Sequence, residues 1–443
     1  MEPSPNLSFN LDRAKRVLDK YAWFLLTNFA KFVNGVGIGQ EGITINIPPE
    51  YVEMKVSGNL LPPDKFFEMF DQWQGNKAEF LTDPLAFKQR EYDRTGDIQY
   101  ASSYIQFPES IEGIPVNLKV TGRYVPLIFG ETFEDNYPQP YQQYARPFPG
   151  GYSIGHIEIT AGTFTCVVWD KKTGKRVLLS NKHVFSPMVQ GIIPTTRCIG
   201  DPKEGDYITQ PGPKDIELQN LGPKENFIVG RFLRQGSYDK WYTGKSNKVD
   251  SAIAEIIRDS DVLNEIYEFG RARDVVEPQV GMQLKLMGRT SGPRNATIEQ
   301  VNFWVPLCTC SDEYLGGLNP NCCIPTPILM CIVPGPDVRI MTDLFDTSQG
   351  TAYPGDSGSV AITMDNKYVG QLFGGDTMLH KGVCSKASNI EKVLDVSFNE
   401  TWPQPSPLGI VALVSLVLGS SAVGYYLLKK GLGRTKLSIE KVG

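Results

Sequence analysis

Histidine is scarce in this 443-residue chain, with only His156, His183 and His380. Chemistry that needs an imidazole base therefore has three places to start. Positive charge is also short: the net charge is −5, and the part expected to fold holds no basic run, so there is no electrostatic case for a nucleic-acid partner. Charged residues at 21% and apolar residues at 41% exclude a disordered chain. The N-terminus has no basic stretch followed by an apolar one, so no secretory leader is read there. The eight cysteines follow no usual zinc spacing, and the five at Cys308, Cys310, Cys322, Cys323 and Cys331 have no histidine nearby. Disulfides in a surface loop are the favoured reading of that group, ahead of a soft-metal site or free thiols. Cys166, Cys198 and Cys384 are left to pair with it or lie buried. Neither a metal nor another cofactor is expected.

Glycine and proline are abundant, 43 and 32, which favours short strands and turns over long helices. The length suggests two to three domains. Asn10 can cap a helix whose face carries Leu11, Ala14, Leu18, Tyr21, Ala22, Leu25, Phe29 and Phe32. Gly37 to Gly42 formally fits a dinucleotide fingerprint, but Ile43-Thr44-Ile45-Asn46-Ile47 after it alternates like a strand, so a glycine hairpin is expected. Residues 62–106 read as helix and loop, and 114–120 return to strand alternation. Residues 1–128 are thus expected to form a small α+β domain, followed by a Pro- and Tyr-rich linker or wrapping segment over 129–152.

Short strands separated by turns then suggest an all-β barrel or sandwich over 153–400, with a Cys-rich insertion at 306–336. Val177-Leu178-Leu179 leads to His183, Asp250 heads the apolar run Ala252-Ile253-Ala254, and Gly355-Asp356-Ser357-Gly358 presents one hydroxyl on a sharply turning backbone. A serine hydroxyl is a poor nucleophile without a base and a group that orients the base. His183, Asp250 and Ser357 supply base, orienter and nucleophile. His156 is expected to make a structural hydrogen bond, and His380, beside Lys381, to be solvated. Asn295-Ala296-Thr297 and Asn399-Glu400-Thr401 fit glycosylation sequons.

Ser180 to Val184, Val249 to Ala254, Gly288 to Gly292 and Gly355 to Ser359 together resemble the trypsin-like (chymotrypsin-fold) serine proteases. The likeness is to a microbial and plant-type branch with an extra N-terminal domain. Arg146-Pro147, Gly150 to His156, Thr160 to Thr163, Gln210 to Pro213 and Asn34 to Gly39 add to it. The resemblance spans about residues 34–61 and 111–395. It implies a double β-barrel with the catalytic residues in the cleft between barrels, acting on protein or peptide substrates through an acyl-enzyme. It also implies an oxyanion hole from the backbone N–H groups of Gly355 and Ser357. Thr351, six residues before the serine, resembles the floor of the substrate pocket, with Gly374 and Gly375 on its wall; a neutral floor gives no argument for basic side chains. Lys182 replaces an asparagine common in this branch, and Asp356 is a candidate to receive a new N-terminus after zymogen cleavage.

Residues 408–428 carry no charge and, as a helix of about 30 Å, match one bilayer core. Pro403, Pro405 and Pro407 in the 401–407 linker separate this segment from the domain, and a basic tail, 429–443, follows. A single-pass anchor is expected. The basic tail argues for an extracytoplasmic domain, slightly favoured, whereas the missing leader argues for the cytoplasmic side. The leading reading is a membrane-anchored serine endopeptidase. Its rival is a catalytically inactive protease-fold binding or scaffolding protein at a membrane.

Overall fold

The computed structural model describes residues 9–29, 32–82, 105–127, 137–190, 196–240, 243–308, 310–312 and 338–399. The chain divides into two compact units, Met1–Phe398 and Asn399–Gly443. Among the described residues no helix is long and apolar enough to cross a membrane. The expected anchor at 408–428 lies outside them, as do the 401–407 linker, the basic tail and most of the Cys-rich insertion.

The first unit is mainly β, with barrel-like sheets, as the resemblance implies. An eight-stranded sheet carries, in order, Val396–Ser397, Cys166–Asp170, Arg176–Ser180, Ala252–Ile256, Ile228–Gln235, Tyr207–Thr209, Ser153–His156 and Gly162–Thr163. Its inner side chains, among them Val168, Leu178 and Ile253, are buried together with Phe148 and Phe164 from neighbouring segments. The expected turn after Cys166–Asp170 is built by its own chemistry. The Asp170 carboxylate accepts from Lys172 N and Thr173 Oγ1, and Gly174 takes the positive φ of 71° that closes it.

In the second sheet Gln283–Gly288, Val360–Thr363, Tyr368–Asp376, Gly382–Lys386, Val338–Thr347 and Gly292–Cys308 lie side by side. The last pairs back onto the first, Met287 opposite Pro293 and Leu284 opposite Ala296, so six strands close on themselves. Closure uses the first part of Gly292–Cys308, and the later part keeps an edge of its own.

The N-terminal elements differ from the expectation of a domain of their own. Helix α1 runs Leu11–Asn28 with the Asn10 side chain capping Arg13 N, and Gly35–Gly39 and Gly42–Ile47 form the glycine hairpin. That hairpin pairs with the second barrel, Val36 opposite Trp304 and Ile38 opposite Val301, and Ile114–Val120 extends it in parallel. Glycine allows the approach: a Cβ on Gly35 would meet the Phe303 ring at 2.6 Å. One apolar core then runs from Leu18, Phe24 and Phe66 through Ile38 to Ile298 and Leu372, which is why no boundary separates the N-terminal elements from the barrel. Of the expected linker, residues 137–152 wrap the first barrel. Phe148–Gly150 pairs with Val262–Ile266, and Tyr141, Phe148 and Tyr152 are buried. Cys166 and Cys384 are buried free thiols, and burial pushes the Cys166 pKa up to about 12.

Candidate active site

The turn after Arg176–Ser180 carries His183 and is tied to the loop that carries Asp250. Asn181 Nδ2 donates to the Asp250 carbonyl at 2.8 Å, and Lys182 N donates to the same oxygen at 3.3 Å. His183 N in turn donates to Asp250 Oδ1 at 3.2 Å, and its Nδ1 lies 2.7 Å from Oδ2. Because an ionised carboxylate only accepts, this contact assigns the ring proton to Nδ1 and leaves Nε2 with a lone pair. Nε2 lies 2.6 Å from Ser357 Oγ, within reach of its hydroxyl proton. Asp250, His183 and Ser357 are all fully buried.

Asp250 is held by more than the histidine. Tyr238 OH donates to Oδ2 at 3.2 Å, and Asp250 N donates to Ser385 Oγ at 3.2 Å. Burial works against its charge, but the charge and hydrogen bonds of His183, with Lys182 nearby, prevail and hold its pKa below the usual carboxylate value. Tyr238 and Ser385 escaped the sequence reading because neither lies in a recognisable motif.

Ser357 sits where the two barrels meet. Its carbonyl accepts from Thr163 N at 2.7 Å, Thr163 Oγ1 donates to Gly355 O at 3.0 Å, and Thr165 Oγ1 donates to Gly358 O at 2.7 Å. From the other side Gly358 N donates to Leu372 O at 2.8 Å. Gly355 and Gly358 have φ of 93° and 95°, and a Cβ on Gly358 would lie 2.0 Å from Thr163 O. No side chain fits there.

Asp356 departs from its expected candidacy. Thr290 N and Ser291 N donate to Oδ1 at 3.1 and 3.0 Å, Ser291 Oγ and Tyr353 N donate to Oδ2, and Arg294 lies 3.1 Å away. Its acceptor positions are filled by the turn after Gly288, so a new N-terminus has no site there without displacing these donors. The Lys182 charge is paired rather than free. Its Nζ bonds Gly200 O and Asp201 Oδ1 and lies 4.5 Å from the centre of the Tyr238 ring.

His156 has the structural role expected of it: its Nδ1 accepts from Glu158 N at 3.1 Å, and burial lowers its pKa. His380 is not solvated as expected but half-buried and stacked on Tyr353, with ring centres 4.6 Å apart. Lys381 beside it is fully buried between Asp346 and Glu299, at 2.6 and 2.8 Å. Among the described residues no cluster of His, Cys, Asp or Glu is placed to hold a metal ion.

The Thr351 hydroxyl meets Thr347 Oγ1 and donates to Ser348 O, and its neighbour Ala352 faces Gly375. Gly374 and Gly375 lie in the Tyr368–Asp376 strand, and the chain's own Tyr124–Pro126 pairs antiparallel with them: Pro126 opposite Gly374, Val125 opposite Gly375. Leu127 continues this run. Its N–H donates to Phe373 O at 3.3 Å, and its carbonyl accepts from Gly355 N at 2.6 Å. The N–H group expected in the oxyanion hole is therefore engaged by a carbonyl. The only trace of this in sequence is a short extended run, Tyr124-Val125-Pro126-Leu127, just before the Pro- and Tyr-rich stretch.

No family model matches the chain, and no curated protein matches it. Among solved structures it resembles chymotrypsin-fold serine proteases. A Nocardiopsis protease shares 13% identity over 56% of this chain and 97% of its own, at a TM-score of 0.33. Thermobifida fusca protease A shares 14% over 56% and 96%, at 0.34. The active form of the Rv3671c protease from M. tuberculosis shares 16% over 63% and 93%, at 0.30. Identities this low and superpositions this partial leave the functional reading to the geometry of the site.

Proposed function

We propose that the chain is a serine endopeptidase that hydrolyses peptide bonds in protein or peptide substrates through an acyl-enzyme. The observation that carries this is the unbroken line of contacts from Ser357 Oγ to His183 Nε2, 2.6 Å, and from His183 Nδ1 to Asp250, 2.7 Å. Ser357 attacks the substrate carbonyl, His183 takes the hydroxyl proton and returns it to the leaving amine, and Asp250 holds the imidazole in the tautomer this requires. Backbone N–H groups of Gly355 and Ser357 receive the negative charge that develops on the carbonyl oxygen. One such donor is worth roughly 100- to 1,000-fold in turnover.

A serine-directed fluorophosphonate tests the reading. Wild type is expected to label and Ser357→Ala to stay unlabelled. A folded wild type that never labels sinks the enzyme and leaves the binding or scaffolding protein. As part of the same proposal, residues 408–428 anchor the chain in a membrane with the protease on the extracytoplasmic face. Their uncharged length supports the anchor, and the basic residues after them support the orientation. Release of the full chain by an alkaline carbonate wash would remove the anchor, and degradation by protease added to sealed cytoplasmic-side-out vesicles would reverse the orientation.

A further inference from the structure

The cleft is already occupied, and by a strand of the same chain in the pose a substrate needs. An extended peptide binds a sheet edge by main-chain hydrogen bonds, with side chains in flanking pockets. Tyr124–Leu127 does this along Phe373–Asp376. Leu127 N and Ser357 Oγ share one acceptor, the Phe373 carbonyl, at 3.3 and 3.4 Å, which sets the Leu127 backbone beside the nucleophile. The Leu127 carbonyl oxygen is bound by Gly355 N, two residues before Ser357. The Leu127 side chain is buried: a Cβ on Gly375 would lie 2.7 Å from its Cδ2 and 3.0 Å from Ala352 Cβ, so these two residues bound a small apolar pocket. At the far end Tyr124 is buried, its hydroxyl 3.5 Å from Asp346, which also pairs with Lys381.

We propose that Tyr124–Leu127 is the enzyme's own first substrate: Ser357 cleaves the peptide bond that follows Leu127 within the same molecule, and the pocket it vacates prefers leucine at the cleaved position. The inference rests on the reading of Ser357 as nucleophile. Ser357 Oγ bonds to the Leu127 carbonyl carbon while its proton passes to His183 Nε2. The bond to the Ile128 nitrogen breaks, and His183 gives that proton to the departing amine. Water then hydrolyses the ester, leaving the Leu127 carboxylate and the restored serine hydroxyl. Before the cut, no second peptide can pair with Gly374 and Gly375, so the uncut chain is self-blocked. After it, the N-terminal piece stays attached through the pairing of Gly35–Gly39 with Gly292–Cys308.

The full wild-type chain and Ser357→Ala are purified, incubated, denatured to separate any pieces, and read by intact mass and N-terminal sequencing. Wild type is expected to yield a fragment beginning at Ile128 and Ser357→Ala none. Leu127→Asp, which puts a carboxylate in the apolar pocket, is expected to slow that cut at least about tenfold and to label faster with fluorophosphonate, because the cleft is no longer filled. The processed enzyme is expected to hydrolyse acetyl-Tyr-Val-Pro-Leu-anilide at least about tenfold better than its arginine or glutamate counterpart, a ratio within the usual range for one pocket. Fluorophosphonate labelling of wild type with no cut after Leu127, or with a cut elsewhere, overturns the proposal and leaves the protease reading standing. Absence of labelling in both wild type and Leu127→Asp, whose cleft is open, overturns both. If Leu127→Asp does not fold, the wild-type and Ser357→Ala masses decide alone.

Discussion

The Asp250 carboxylate receives three donors, His183 Nδ1, His183 N and Tyr238 OH, and in the proposed reaction only the first belongs to the chemistry that moves a proton. In the proposed reaction Tyr238 is a positioning residue that acts through the carboxylate it donates to. Hydrogen bonds to a charged carboxylate favour that form, so Tyr238→Phe makes Asp250 easier to protonate. Turnover of a peptide substrate is expected to fall by up to about tenfold, a net loss of one hydrogen bond to a charged group at about 1.5 kcal/mol. The acid side of the pH–rate profile is expected to move to higher pH. A uniform loss with an unmoved profile would reduce Tyr238 to packing. Asp250 also links stability to pH. Its pKa is lower in the folded chain than in the unfolded one, so its contribution is complete above the ordinary carboxylate value of about 3.9 and is lost as pH falls through the folded value. The thermal midpoint is expected to drop with acidification below about pH 4, and Asp250→Asn to flatten that dependence. An equal slope in the variant would assign the acid sensitivity to other carboxylates.

Two strands frame the occupying segment, and each is shaped by what approaches it. The Tyr368–Asp376 strand holds glycine where the occupying segment passes, and at Gly375 the Leu127 side chain lies where a Cβ would stand. Gly375→Ala puts a methyl 2.7 Å from Leu127 Cδ2. It is expected to raise KM for a leucine peptide with kcat less affected, because the lost contact lies in binding rather than at the reacting atoms. An unchanged KM would place the leucine elsewhere. In the Gly292–Cys308 strand, Phe303 is fully buried between Gly35 and Gly37 on one side and the Tyr124 ring, 5.2 Å away, on the other. Phe303→Ala opens a cavity that joins the N-terminal hairpin, the barrel and the occupying strand. The expected cost is about 3–5 kcal/mol, read from denaturant midpoints.

For the molecule as a whole, the N-terminal elements serve as an extension of the second barrel. They cover the outer side of Gly292–Cys308, share its apolar core, and deliver Tyr124–Leu127 to the cleft. A chain that begins at residue 137 would expose the edge that Val36 and Ile38 cover, with Val301 and Trp304 beside it. Unpaired strand edges associate. Such a chain is expected to elute as oligomers in size-exclusion chromatography and to melt below the full protein; a stable monomer would show that the barrel stands without its N-terminal cover.

Local patterns in the sequence determined the parts with local causes. Asn10 and the apolar stripe after it specify α1, the alternation at 43–47 and 114–120 specifies strands, and the turn at Asp170–Gly174 is closed by its own side chains. The three short motifs around His183, Asp250 and Ser357 were legible because each needs particular residue types within a few positions. Which groups meet them was not legible. Tyr238, Ser385, Thr163 and Thr165 reach the site across the closed sheets, at separations no periodicity encodes. The same holds for Arg294, which compensates Asp356, and for the continuity of the N-terminal hairpin with the second barrel. Tertiary structure alone decided that Leu127 lies beside Ser357, because a strand's pairing depends on which edge is left open after the barrel has closed.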